Sequence, residues 1–369
     1  MSDIQNLVQA AIDGLVESGA ETGLQVAVFH NGEQVVDAVA GVADSTSGRK
    51  VTSDTPFDST STGKGMTTTV AHVLVEQGKL DYDTPITEVW PEYGANGKGG
   101  TTLRHVLLHQ AGVPGVPAET TPEDLCDWQK MVDTIAVAEP WWEPGTKTGY
   151  HAQTYGYIIG ELVKRSTGKT IAEFLRDDIA GPLGIANELF FGVPQAELGR
   201  LAVLETAPGT PSLADILPPE MPMFKAVPLA VMPSAEFGNR ADVLSSDIPA
   251  GGTMTARAIA RLYAALLGEV DGVQLLSPGR TKEVTAFVNA DQDEIVGFPS
   301  PRALGYDLGR PGGDPEATSA VFGAVGMGGS AAWADPNTGV TFGLTKNRFN
   351  SIESSAVDQI GEIVAKATA

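Results

Sequence analysis

The sequence predicts an α/β (α+β) protein: an antiparallel sheet flanked by N- and C-terminal helices, beside a mostly helical lobe. Strand-like segments joined by tight turns occur near both ends of the chain, each next to an amphipathic helix. The middle instead has segments with the 3.6-residue periodicity of helices. We therefore expect a sheet domain from residues 1–66 and 269–369, a helical domain from 67–268, and a functional site at their seam.

The N-terminal segment combines a helix with a hairpin. Apolar residues recur at helical spacing over residues 4–16, and the helix is expected to end near Gly19. Strand-like residues 24–30 and 33–40 follow, separated by Asn31-Gly32. This dipeptide indicates a hairpin because a type I′ turn needs positive φ at both central residues.

The C-terminal segment repeats this pattern in reverse order. Residues 330–335 and 340–347 read as strands around a Pro-Asn-Thr-Gly turn, and residues 354–366 read as a helix with one apolar face. The two terminal helices are expected to cover one face of a shared sheet.

The middle of the chain is predicted to be helical over residues 67–77, 102–109, 122–136, 152–166, 171–179 and 255–267. A Pro/Met-rich tract at about residues 208–249 has weak periodicity. A stretch that long without regular structure is usually functional, and its apolar content indicates that it packs on something. We expect a substrate wall, with a subunit contact as the alternative.

Composition limits the partners. The 369 residues carry a formal charge of −22, which disfavours nucleic acid and anionic membranes. The single cysteine, Cys126, fits a reducing compartment. No basic leader and no run of eighteen apolar residues is present, so we expect a cytoplasmic protein. No cofactor or metal motif is predicted, and the oligomeric state stays open.

One of three Ser-x-x-Lys matches stands out. Ser61 opens an apolar helix and Lys64 follows one turn later, so the two side chains share a face. A lysine that is not protonated can act as the base that activates a serine. The other two matches lie in a polar loop (Ser47/Lys50) and at a helix C-cap (Ser166/Lys169). An ordinary helix start capped by Ser59 or Ser61 is the alternative.

Two further segments carry chemistry. A Pro/Gly loop from Trp141 places Tyr150 just before a helix, and a glycine-rich stretch at 322–330 enters a strand where a ligand could approach closely.

With these segments included, the chain resembles the serine β-lactamase and penicillin-binding family, specifically its class C-like esterase branch, the family VIII esterases. The resemblance spans nearly the whole length and rests on five motifs in the family's order: Ser61-x-x-Lys64, residues 101–112, Pro144-Gly145 to Tyr150-His151-Ala152, residues 252–257, and Gly326-Met327-Gly328-Gly329-Ser330 before Asp335-Pro336.

The resemblance implies acyl transfer. Ser61 would attack a carbonyl to give an acyl-enzyme, which water then hydrolyses. Tyr150 would share the role of base, with Lys64 as the cation that makes this feasible. The backbone N–H groups of Ser61 and Met327 would form the oxyanion hole.

Two departures from the family pattern bear on the substrate. Ala152 stands where relatives acting on β-lactams or peptidoglycan usually have Asn, and Ala324 stands where they carry a cationic residue. Losing groups that bind an amide and a carboxylate favours small neutral esters. The alternatives are a β-lactamase, amidase or acyltransferase on the same scaffold, or a catalytically idle binding protein.

Six further residues are predicted to line the substrate pocket. It comprises His151, Trp141, Trp142, Ala324, Gly326 and Trp333. For the tryptophans a place in the core is the alternative, and for His151 a structural hydrogen bond is favoured.

His105 and His109 are four residues apart, as two metal ligands on a helix could be. We interpret them as structural because no third ligand accompanies them.

Overall fold

A computed structural model describes residues 3–311, 320–350 and 355–368. The α-helices are α1 Ile4–Glu17, α2 Lys64–Glu76, α3 Leu103–Leu107, α4 Pro122–Cys126, α5 Trp128–Val137, α6 Thr154–Thr167, α7 Ile171–Phe174, α8 Leu213–Ile216, α9 Pro222–Ala226, α10 Ala235–Gly238, α11 Ala241–Ser245, α12 Ala256–Leu267, α13 Pro278–Thr285 and α14 Ser355–Thr368. The strands are β1 Gly23–His30, β2 Glu33–Asp44, β3 Arg49–Lys50, β4 Phe57–Asp58, β5 Leu189–Phe190, β6 Glu205–Thr206, β7 Thr253–Met254, β8 Asp307–Leu308, β9 Phe322–Val325, β10 Ala331–Asp335, β11 Val340–Lys346 and β12 Arg348–Phe349.

Seven strands form the main antiparallel sheet, in the order β3-β2-β1-β11-β10-β9-β8. N-terminal β1 pairs directly with C-terminal β11, so strands from both ends of the chain lie side by side in one sheet. The first hairpin turns at Asn31 and Gly32 with φ of 51° and 82°, as a type I′ turn requires.

The terminal helices α1 and α14 cover one face of this sheet, as predicted. Val8, Val26 and Ile360 belong to one buried cluster that joins both helices to β1, β10 and β11. Alternate residues of β1 point to the opposite face, where Ala27 and Phe29 join the larger core. The two faces of the sheet thus pack against two different hydrophobic cores.

The second face of the sheet is covered by α12, which packs against β1, β10 and β11. A domain boundary at residue 268 predicts that this segment belongs to the helical domain. Its apolar stripe, which includes Ile259, Tyr263 and Leu266, is buried against the sheet instead. Helical periodicity cannot tell which neighbour an apolar face will meet.

Helix α2 runs through the middle of the molecule, with every residue from Lys64 to Val75 buried. It contacts β9 on the sheet side and α6 and α7 on the helical side. Its threonines tolerate burial because each hydroxyl has a partner; Thr67, for example, donates to the carbonyl oxygen of Pro249 at 2.7 Å. A helix enclosed on all sides gives the residues at its N-terminus a fixed position.

The helical side differs from the prediction in detail. The predicted helix 122–136 is two helices, α4 and α5, because Asp127 leaves the helical conformation and caps α5 through the amide of Lys130. The predicted helix 171–179 continues from α7 into a π-helix at Leu175–Ala180. The Pro/Met-rich tract contains the four short helices α8 to α11.

Candidate active site

Ser61 lies in a 3₁₀ turn, Thr60–Gly63, immediately before α2, and not in the α-helix itself. Thr60 has a φ of 45°, which is uncommon for a β-branched residue. Gly63 packs against the backbone of Gly251, and a Cβ there would lie 2.2 Å from that residue's carbonyl carbon. Gly65 packs in the same way on the hydroxyl of Tyr263. Glycine at these two positions is what permits the close approach.

The side chains of Ser61, Lys64 and Tyr150 meet where the start of α2 faces the loop before α6. Lys64 Nζ lies 3.2 Å from Ser61 Oγ, and the Tyr150 hydroxyl lies 2.9 Å from the same atom. Lys64 also donates to the carbonyl oxygen of Ala250 at 2.7 Å, and its Nζ is 5.0 Å from the centre of the Tyr150 ring. The serine hydroxyl therefore has two groups within reach of its proton.

Tyr150 is held by a carboxylate far away in the sequence. Its amide donates to Asp293 Oδ1 at 3.0 Å, and this oxygen also accepts from the amides of Ile295 and Val296. Asp293 is fully buried and faces Arg302, whose Nη2 lies 3.4 Å from Oδ2. The loop that carries Asp293 thus fixes the backbone from which the phenol projects.

His151, the neighbour of Tyr150, points away from Ser61. Its Nδ1–H donates to the carbonyl oxygen of Gly149 at 2.6 Å, which leaves Nε2 to accept from the amide of Val113 at 3.1 Å. Burial lowers the pKa of His151 to about 4, against the smaller opposing effect of the Gly149 carbonyl. A neutral imidazole with both nitrogens engaged is a structural group, so the favoured alternative agrees with the structure.

The two amides expected to bind an oxyanion come from separate segments. Ser61 lies in the first turn of its helix, where amides have no partner within the helix. The Met327 amide makes no hydrogen bond to any residue in the described part of the chain. Thr60 Oγ1 donates to the carbonyl oxygen of Met327 at 2.7 Å and so ties the two segments together.

A glycine pair shapes the turn after Met327. Gly328 and Gly329 have φ of 106° and 96°, and a Cβ at Gly328 would meet the ring of Phe349 at 2.8 Å. The Met327 side chain packs beside a small cluster that includes Phe349. The position of the amide is thus set by backbone geometry.

A largely apolar cavity opens beside Ser61 and Tyr150. The Pro/Met-rich tract supplies much of its wall, as the sequence predicts for a substrate wall. Other segments add residues that sequence reasoning missed. The lining comprises Asp58, Thr60, Ser61, Tyr150, Ala152, Gln153, Phe191, Met223, Val227, Met232, Pro233, Ser234, Phe237, Val243, Leu244, Ile248, Ala250, Gly251, Gly252, Thr253, Ile295 and Met327.

The three tryptophans assigned to the pocket lie elsewhere. Trp142 is buried beneath Gly149 and meets the His151 ring edge-on. Trp141 lies under the ammonium of Lys225, 4.2 Å from its ring centre, and lines a separate surface groove. Trp333 stacks on Phe342 in the core below the terminal helices. Burial of large apolar surface accounts for the core positions of Trp142 and Trp333.

The remaining pocket assignments also need correction. Ala324 is buried within β9, opposite Ala332 of β10. Gly326 lies behind the turn that carries Ser61, where a Cβ would meet the carbonyl oxygen of Ser59 at 2.2 Å. His151 is buried as described. Ala324, Gly326 and His151 therefore do not line the cavity, whose wall is formed by side chains from distant segments.

Two other sequence features can be placed. His109 is not on a helix face with His105, since α3 ends at Leu107 and His109 has a φ of 58°. Among the described residues no cluster of three potential metal ligands occurs. The described helices include none that is both long enough and apolar enough to cross a bilayer.

Comparison with known proteins places this geometry in a family. The model of the Beta-lactamase family matches residues 8–365. The chain is 35% identical to the esterase/beta-lactamase LipL of Mycobacterium tuberculosis over 353 residues, covering 89% of this chain and 78% of that protein.

Two solved structures cover almost the whole chain. A family VIII carboxylesterase aligns over 99% of this chain and 96% of its own, with a TM-score of 0.86 and 30% identity. A penicillin-binding protein homologue from Caulobacter crescentus aligns over 100% and 98%, with a TM-score of 0.87 and 31% identity. The chain belongs to the Beta-lactamase family.

Proposed function

We propose that the protein is a serine hydrolase that cleaves small, uncharged carboxylic esters through an acyl-enzyme on Ser61. The observation that carries the proposal is the convergence of Lys64 Nζ and the Tyr150 hydroxyl on Ser61 Oγ, at 3.2 and 2.9 Å. A serine needs such a neighbour to become a nucleophile. The similarity to LipL and to a family VIII carboxylesterase supports ester hydrolysis.

In the first half-reaction, Ser61 Oγ attacks the ester carbonyl and its proton passes to Tyr150 or Lys64. The oxyanion is stabilised by the amides of Ser61 and Met327, and the alcohol leaves with a proton returned by the same pair. In the second, water attacks the acyl-enzyme under the same base and releases the acid. Each side chain thus serves both halves of the cycle.

The cavity wall favours uncharged acyl groups. It is built from apolar side chains such as Met223, Phe237 and Leu244. Ala152 lies on the wall where an amide-binding Asn would otherwise stand, and Ala324 supplies no cation for a carboxylate. A carboxylate-bearing β-lactam would lose a charge-assisted hydrogen bond worth about 1.5–3 kcal/mol.

Covalent labelling tests the proposal. An alkyl p-nitrophenyl phosphonate should add one phosphonyl group to the protein, and peptide mass spectrometry should find it on Ser61. Stopped-flow hydrolysis of p-nitrophenyl butyrate should show a burst of p-nitrophenol that matches the enzyme concentration if deacylation is slower than acylation. Labelling at another residue, with Ser61 unmodified, would contradict the proposal.

A second comparison separates esterase from β-lactamase activity. We expect kcat/KM for p-nitrophenyl butyrate to exceed that for nitrocefin by about 100-fold, which corresponds to the lost carboxylate contact. A cytoplasmic location stays a separate prediction, which cell fractionation would test.

A further inference from the structure

The apolar cavity contains one carboxyl group that the proposed reaction does not use. Asp58 ends β4, three residues before Ser61, and its backbone pairs with Thr253. Its Oδ1 accepts a long hydrogen bond of 3.4 Å from the amide of Thr60. Its Oδ2 lies against Gly238 of α10, where a Cβ would come within 2.5 Å of this oxygen. The carboxyl thus sits in the wall, with spare capacity to accept hydrogen bonds.

Gln153 lines the same cavity and carries a buried acceptor atom. Gln153 is only 6% exposed, and its Nε2 donates a long hydrogen bond of 3.4 Å to the carbonyl oxygen of Val231. Its Oε1 is buried and has no hydrogen-bond partner among the described residues. An unpartnered acceptor that is nine-tenths buried costs free energy unless a ligand or water supplies a donor.

The surroundings of Asp58 favour its neutral form when the cavity holds no cation. Burial raises its pKa to about 7, and the Thr60 amide opposes this shift weakly. The titratable groups on neighbouring elements are Lys64 and Tyr150 at the reacting end, Glu205 next to Leu204, and the exposed Glu236 of α10. Asp58 has no ion pair with any described residue.

We propose that Asp58 and Gln153 form an acceptor site for a primary ammonium group on the acyl part of the substrate. The enzyme would then hydrolyse ammonium-bearing esters in addition to alkyl esters. This inference rests on the proposed esterase function and names a second substrate class for the same site. An ammonium group fits because it carries three donors and no acceptor, and both unfilled groups in the wall are acceptors.

The charge of Asp58 makes the choice of substrate depend on pH. Below about pH 7 the carboxyl is neutral and the cavity suits an alkyl chain. Above this pH the ionised carboxylate has no countercharge beside it, and a bound ammonium group supplies one. We therefore expect the preference for ammonium over methyl to increase as the pH rises.

Matched p-nitrophenyl esters test the proposal. The pairs are 3-aminopropanoyl against butanoyl and 6-aminohexanoyl against heptanoyl, so each pair exchanges a terminal ammonium for a methyl group. For the better pair, the ratio of kcat/KM, ammonium over alkyl, should rise at least about tenfold between about pH 5.5 and 8.5. Asp58→Asn should abolish the rise, because Asn keeps the acceptor for the Thr60 amide but loses the charge. Glu236→Gln, which removes an exposed charge on the neighbouring helix, should retain it.

Binding without turnover gives an independent measurement. In Ser61→Ala at about pH 8.5, n-butylammonium should raise the melting temperature more than n-butanol does, and the added Asp58→Asn change should remove the difference. Equal ratios in the wild type and Asp58→Asn, together with equal melting shifts, would overturn this inference while leaving alkyl ester hydrolysis intact. If the wild type hydrolyses none of the esters but the melting difference holds, the esterase function fails and the ammonium site stands.

Discussion

The proposed catalytic group of Ser61, Lys64 and Tyr150 (the catalytic corner) and the apolar cavity beside it (the acyl cavity) are built in different ways. Ser61 lies in the 3₁₀ turn just before a buried helix that begins at Lys64, and Tyr150 reaches both from one loop. The cavity wall is assembled from several distant segments, among them Phe191, Phe237 and Ile295. The difference teaches that the chemistry depends on a few fixed distances, whereas substrate choice depends on many side chains that can be exchanged singly.

The largest effect is expected at Ser61. Ser61→Ala removes the attacking oxygen, so kcat for p-nitrophenyl butyrate should fall by roughly 10⁴-fold or more. The chain offers matched controls, since Ser47 and Ser166 also precede a lysine by three residues. Alanine at either control position should leave kcat within about twofold of the wild type. Comparable losses at Ser61 and Ser47 would contradict the assignment.

Tyr150→Phe should have the next largest effect. The ring stays in place, but the hydroxyl 2.9 Å from Ser61 Oγ is lost, so kcat should fall by about 10²–10⁴-fold with a smaller change in KM. Steady-state kinetics with p-nitrophenyl butyrate would measure it. Tyr157→Phe is the control, because its hydroxyl bonds the carbonyl oxygen of Leu125 away from the site. An unchanged kcat in Tyr150→Phe would exclude the phenol from proton transfer.

Asp293 is expected to act as a positioning residue. Asp293→Ala leaves three amides without their acceptor, including that of Tyr150, so kcat should fall about 10–100-fold. Asp293→Asn retains an acceptor oxygen and should recover most of the activity. The melting temperature of both variants would separate misplacement from unfolding. If Asn rescues stability but not kcat, the negative charge matters more than the hydrogen bonds.

Asp58 should also make stability depend on pH. Its folded pKa of about 7 exceeds the ordinary value of 3.8, so the folded state holds a proton that the unfolded state releases between these values. The free energy of unfolding should therefore fall as the pH rises from about 4 to 7 and then level off. Relative to the wild type, Asp58→Asn should gain about 1–3 kcal/mol between pH 4 and 8, allowing for partial exposure. Urea unfolding would measure this, and an equal pH dependence in both proteins would contradict it.

The smallest effect is expected in the wall. Phe237→Leu enlarges the cavity and should shift the preference among p-nitrophenyl esters toward longer acyl chains by about three- to tenfold in relative kcat/KM. Phe287→Leu is the matched control, since that ring is 56% exposed. If kcat for all acyl lengths falls together, the catalytic corner and the cavity are coupled more closely than their construction indicates.

The sequence predicted the parts that depend on local rules. The Asn31-Gly32 turn follows from backbone conformation, and the approach of Ser61 to Lys64 follows from helical spacing. The placement of Tyr150 came from the family resemblance. The support from Asp293 could not be predicted, because a carboxylate 143 residues away in the sequence carries no periodic or spacing signal.

The tryptophans, in contrast, are residues that the sequence analysis wrongly assigns to the pocket. The sequence analysis assigns them to the pocket with the core as the alternative, and Trp142 and Trp333 are buried in cores. Ile295 and Phe191 were missed because an apolar residue in an irregular segment looks the same whether it faces a cavity or a core. A Pro/Met-rich composition was the one usable signal for the wall.

Met327 has a consequence for how this enzyme could diversify. Its amide is aimed by the turn of Gly328 and Gly329 and by the hydroxyl of Thr60, while its side chain reaches the cavity. If this amide binds the oxyanion as we propose, a substitution at position 327 changes the cavity wall and leaves the main-chain donor in place. Replacing residue 327 by the other amino acids should change substrate selectivity while the reaction stays the same. Gly328 and Gly329 cannot be replaced without backbone strain, because both have positive φ.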